Sequence, residues 1–149
     1  MKTTLFGGLL VLAALLVSNH AAAFNGTPMK GKGHGEIIGL APFSGGVEIT
    51  ATGSGEATHL GKYTRTEQIF LDPSTGALTG SITFVAADGS ELFCEFSGGF
   101  TGPNTAAGTY DLVGGTGRFQ NASGTASFNI SQTDPVNFDF SFIGTIDLF

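Results

Sequence analysis

The chain has 149 residues with 24 Gly, 14 Phe, no Trp, one Cys and a formal net charge of −6, and only 12% of its residues are charged. A hydrophobic fraction of 41% excludes a disordered tail, and the length suits one small domain. The acidic balance argues against nucleic acid or anionic lipid as a partner, since both are held largely through Lys and Arg.

In chain order, Met1 and Lys2 give a positive start, Leu5 to Val17 form an apolar run, and Ala21-Ala22-Ala23 close it with small residues. This pattern reads as a secretory signal peptide over residues 1–23, cut after Ala23, because the run is shorter than the about 20 apolar residues of a spanning helix. An uncleaved anchor is the alternative. The expected address is secreted or periplasmic, with no membrane attachment after cleavage. Cys94 is the only cysteine, so the remaining domain, residues 24–149, has no internal disulfide and stands on burial and backbone hydrogen bonds.

Residues 24–35 are rich in Gly and Lys and predict a flexible lead-in. Period-two patterning follows, in which successive side chains point to opposite faces of a strand. Weak strands are expected near Glu36 to Leu40 and Thr109 to Val113. Clearer ones carry Val47, Ile49 and Ala51; Leu78, Ile82, Phe84 and Ala86; Leu92, Cys94, Phe96 and Phe100; and Ala126, Phe128 and Ile130 on their apolar faces. Lys62 to Leu71 is a strand with both faces partly polar. The C-terminus is the plainest case, with Val136, Phe138, Phe140, Phe142, Gly144, Ile146 and Leu148 on one side.

Turn chemistry separates these runs. Asp72-Pro73-Ser74-Thr75-Gly76 has Pro where φ near −65° suits the turn, and Asp88-Gly89 between two apolar runs is a two-residue hairpin signal. No segment shows a helical stripe. The fold class is all-β, and eight evenly spaced strands joined by tight turns favour an antiparallel up-and-down barrel, with a two-sheet β-sandwich as the alternative.

The segment Tyr110-Asp111-Leu112-Val113-Gly114-Gly115-Thr116-Gly117-Arg118-Phe119, followed by Ala122-Ser123-Gly124, resembles the glycine segment of dirigent proteins, which share the allene oxide cyclase-like barrel. Thr58-His59-Leu60-Gly61-Lys62-Tyr63-Thr64 is similar to an upstream element of secreted bacterial barrel proteins of uncharacterised role. The resemblance implies an eight-stranded, often oligomeric barrel with an apolar cavity open at one end, and relatives that guide radical coupling or cyclisation without a cofactor. None of the family's pocket acids and arginines can be matched to positions here, so no catalytic residue carries over, and a shared fold does not confer a reaction. Independently of the family, Gly114, Gly115 and Gly117 allow a tight excursion between strands, with Phe119 folding back as an apolar plug.

Tyr63, Arg65 and Glu67 share one strand face with Ile69 and Leu71. Turned inward, they place a polar cluster inside an apolar lumen, where unpaired charge is expensive, and they are the candidate ligand-binding residues. The alternative puts this end of the strand at a wet rim. His34 and His59 lack further ligands at convergent spacing, so no metal is expected, and His59 reads as a loop residue capping backbone groups. Cys94, beside Leu92 and Phe96, reads as a small hydrophobe. No cofactor is implied.

Three sequons, at Asn25, Asn121 and Asn129, matter only if the source glycosylates. Phe93 and Phe149 are expected on the outer side, where exposed aromatics would support a homo-oligomer. Three functions follow: a barrel that binds or presents a small hydrophobic ligand, a cofactor-free isomerase, cyclase or coupling guide, and a structural or adhesive surface protein.

Overall fold

A computed structural model describes residues 26–149, in which the period-two runs form eight strands. They are β1 (Thr27–Phe43), β2 (Gly46–Ala57), β3 (Gly61–Asp72), β4 (Ala77–Val85), β5 (Glu91–Gly102), β6 (Thr105–Gly115), β7 (Ser123–Gln132) and β8 (Asn137–Asp147). Each strand pairs antiparallel with the next, and β1 pairs with β8, so the sheet is a closed up-and-down barrel. The β1–β8 ladder, running from Thr27 opposite Ile146 to Glu36 opposite Asn137, rules out the two-sheet alternative. The signal peptide expected over residues 1–23 lies outside the described residues.

The flexible lead-in is corrected from Thr27 onward. Residues 27–35 are the first half of β1, and their glycines have a packing role. Gly31, Gly33 and Gly35 stand opposite Phe142, Phe140 and Phe138 in the ladder, and a Cβ on any of the three would run into the facing ring. The rings of β8 thus lie across bare β1 backbone, the aromatic cover that offsets glycine's poor strand propensity.

The two barrel ends differ. At one end the β2–β3, β4–β5 and β6–β7 connections are tied together: the Ala87 N–H donates to the Leu60 carbonyl (3.1 Å) and the Thr116 N–H to the Glu91 carbonyl (2.9 Å). Arg118 Nε donates to Asp88 Oδ2 at 2.8 Å. A short 3-10 turn, Gly117–Phe119, drops the fully buried Phe119 onto this end, where Leu60 is equally buried, as the glycine-segment reading expects. Gly114 and Gly117 both take positive φ there, which glycine tolerates. The Asp88-Gly89 hairpin is longer than expected. Its connection runs from Ala86 to Ser90, because the Asp88 carboxylate engages both the Ser90 N–H and Arg118 and the Ala86 N–H donates to the Ser90 carbonyl.

Between the ends the inward positions pack as one cluster, including Phe84, Phe96, Phe128, Phe138, Phe140, Phe142 and Ile146. Two large hydrophobics placed on the apolar faces are instead exposed. Val136 precedes β8 and is largely exposed, and Phe100 lies beyond the Gly98-Gly99 pair, near a ladder irregularity, and is 54% exposed. Phe149 is fully exposed, whereas Phe93 is half-buried on the outer face.

Candidate functional site

Strand alternation carries Tyr63, Arg65 and Glu67 into the lumen together, at 3%, 1% and 5% exposure. The reading that left them at a wet rim is excluded by this burial. Their space comes from β2, where Gly53 stands opposite Arg65 and Gly55 opposite Tyr63. A Cβ on Gly53 would already touch Arg65 Cγ at 3.4 Å, and one on Gly55 would crowd the Tyr63 hydroxyl at 2.8 Å. Small residues on β1 and β2 therefore make room for large polar ones on β3.

Arg65 is the hub. Its Nη2 donates to Glu67 Oε1 at 2.6 Å, its Nη1 donates to the Tyr110 hydroxyl at 3.1 Å, and its Cζ sits 3.4 Å from the centroid of the Phe140 ring. A desolvated cation over an aromatic face is held by the ring quadrupole, a contribution of roughly 2 kcal/mol. Arg65 Nε alone has no hydrogen-bond partner among the described residues. Tyr63 turns away from this network and donates to the Lys32 carbonyl at 3.1 Å.

Burial dominates the electrostatics. It lifts the Glu67 carboxyl above its ordinary value, with the Arg65 charge and hydrogen bond opposing it only in part. Burial alone would lower Arg65, but the Tyr110 and Glu67 oxygens outweigh it and keep the guanidinium charged. Desolvation also raises Tyr63, and pushes Tyr110 up to about 12, so both phenols keep their protons at neutral pH. The Cys94 thiol is pushed up to about 12 by the same cause, which removes the thiolate a nucleophile requires.

The open space lies elsewhere. At the end opposite Phe119, a cavity of about 230 Å³ is walled by Ile37, Ile49, Ile69, Leu78, Ile130 and Phe138, with Asn104 and Gln132 at its edge. Phe138 joins the two regions, since it lines the cavity and its ring centroid lies 5.8 Å from Arg65 Cζ. None of Tyr63, Arg65 and Glu67 lines the cavity. The lip around it is also apolar, with Leu40 at 68% exposure and Phe100 above the cavity wall.

The cavity residues and Tyr110 escaped the sequence reading. In sequence, Ile69 stands out only as a neighbour of the polar triplet and Tyr110 only as part of a glycine motif. Their common signal is inward parity alone, on strands far apart in sequence. His59 behaves as expected, with φ of 67° and its Nε2 3.2 Å from the Pro28 carbonyl. His34 pairs with Asp139 at 2.7 Å on the outer face. No cluster of three or more His, Cys, Asp or Glu suited to a metal occurs among the described residues. No protein-family model matches the chain, and no curated protein matches it.

Proposed function

We propose that this chain is an exported barrel that binds a small hydrophobic molecule at its open mouth. The observation that carries the reading is the apolar cavity of about 230 Å³ at one end of a barrel otherwise filled by its own side chains. A cavity that is apolar on nearly every wall gains nothing from holding water, and a dry one takes up apolar guests. Its size suits a molecule on the order of ten non-hydrogen atoms. The leader-like residues 1–23 support export, and the dirigent-like segment at Tyr110–Phe119 agrees with a barrel open at one end.

In this reading the Arg65, Glu67 and Tyr110 network supports the cavity floor through Phe138 and does not itself touch the guest. Its side chains are sealed, at 0% and 2% exposure for Arg65 and Glu67. A cyclase acting through Arg65 and Glu67 would need the guest to reach them, and their burial away from the cavity favours the binding reading. A structural role is the second reading, favoured by the dense aromatic packing of the lumen.

Methyl-resolved NMR titration with octan-1-ol and with p-cresol separates these readings. Saturable shifts confined to Ile37, Ile49, Ile69, Leu78 and Ile130 are expected, and Ala106→Trp, which fills the cavity from β6, should abolish them. Absence of saturable shifts in the unsubstituted protein would leave the structural role.

A further inference from the structure

We propose that the mouth cavity selects an uncharged amphiphile, with an apolar body and a hydroxyl or amide head, and rejects the corresponding carboxylate. The inference rests on the reading of the cavity as a ligand site. No residue lining the cavity carries a charge. Its polar members are Asn104, Thr105 and Gln132, gathered where β5 turns into β6 and where β7 ends. Thr105 Oγ1 is engaged with Thr101 at 2.9 Å, and Gln132 Nε2 donates to the Pro135 carbonyl at 3.1 Å. The Asn104 amide and the Gln132 side-chain oxygen make no hydrogen bond among the described residues, which leaves a donor and acceptors free for a neutral head.

Charge around the mouth points the same way. The turns at this end carry Asp72 and Asp134, whose carboxylates accept hydrogen bonds from Ser74 and from Val136 and Asn137 and so stay ionised. Among the described residues the exposed Lys and Arg side chains sit elsewhere. Lys30 lies early in β1 and Lys62 at the start of β3, both at the plugged end, Lys32 follows one outward position further along β1, and Arg118 is paired with Asp88. Arg65, the cation beneath the cavity, is already committed to Glu67 and Tyr110. A carboxylate entering the cavity would lose water and meet no cation on the lining, with two acids in turns at the same end, whereas a hydroxyl or amide would exchange its water for Asn104 and Gln132.

The test compares octan-1-ol, octanamide and octanoate on the full chain at pH 7.5, read from the methyl shifts of Ile37, Ile69 and Ile130. The alcohol and the amide are expected to bind at least about tenfold more tightly than the carboxylate. Asn104→Lys, at an exposed turn position with no positive φ, should tighten octanoate and weaken octan-1-ol, so that the preference for the alcohol narrows or reverses. Octanoate binding the unsubstituted protein as tightly as the alcohol would overturn the selectivity while leaving the ligand site intact, as would an Asn104→Lys variant that binds octan-1-ol but not octanoate any better. Failure of all three probes to shift those methyls would instead remove the ligand site and this inference with it.

Discussion

The Arg65 guanidinium lies against the face of Phe140, with 3.4 Å between Cζ and the ring centroid, and Phe140 in turn covers the bare backbone of Gly33 across the β1–β8 ladder. A charge at the centre of the barrel, an aromatic ring and a missing side chain thus form one stack. Each layer exists because the next one leaves it space.

Removing the charge alone should be costly. Arg65→Met leaves Glu67 buried without its only side-chain partner among the described residues and is expected to lose about 3–5 kcal/mol of unfolding free energy. Arg65→Met with Glu67→Leu should recover most of that, ending within about 1 kcal/mol of the parent. Urea unfolding of the four members of this cycle measures the coupling, and equal losses in the single and double variants would show that the pair is not the cause.

The glycine stack makes a sharper contrast. Gly33→Ala drives a methyl into the Phe140 ring and the Ser54 carbonyl, an overpacking expected to cost about 1–3 kcal/mol. Gly39→Ala meets only the Thr50 side chain, at 3.6 Å, and should change stability by less than about 0.5 kcal/mol. Thermal or urea melts of the two variants decide it, and similar costs at both positions would contradict the packing described.

Stability should respond to pH through Glu67 with a definite sign. Its folded value lies above the ordinary 4.5, so the folded state holds the proton more tightly than the unfolded chain. The contribution is complete below the ordinary value and is lost as pH rises through the folded one. Asp72, Asp88 and Asp134 are lowered by hydrogen bonds in their turns and act oppositely, losing their contribution as pH falls below 3.8. Glu67→Gln should therefore gain on the parent as pH is raised from 4 to 8, and a stability difference independent of pH would refute the assignment.

Cys94 should be inert in the folded barrel. Its burial and raised thiol predict labelling by a thiol reagent at pH 8 only as fast as the protein opens, with prompt labelling in denaturant. Stoichiometric modification within minutes of mixing with the native protein would mean that the β5 face is accessible.

Much of the architecture was legible from residue order, because inward and outward positions alternate without interruption along β3, β4, β7 and β8. The polar triplet at Tyr63, Arg65 and Glu67 was legible for the same reason. What remained hidden depends on neighbours far away in sequence. Gly31, Gly33 and Gly35 look like a loop until Phe142, Phe140 and Phe138 are set opposite them. Phe100 shares its parity with Leu92, Cys94 and Phe96, but lies past the Gly98-Gly99 pair at the open mouth, where no strand covers it. The cavity is invisible in sequence because it is defined by where side chains stop, and Ile37, Ile69 and Ile130 converge only when the barrel closes.

Diffraction from crystals of this protein pressurised with xenon tests most directly whether the middle of the barrel is packed and only its mouth offers dry space, since xenon enters apolar cavities without needing a polar contact. A single xenon site among Ile37, Ile69, Leu78 and Ile130, with none near Arg65, is the predicted result. Xenon beside Arg65 and Tyr110, or no xenon at the mouth, would contradict it.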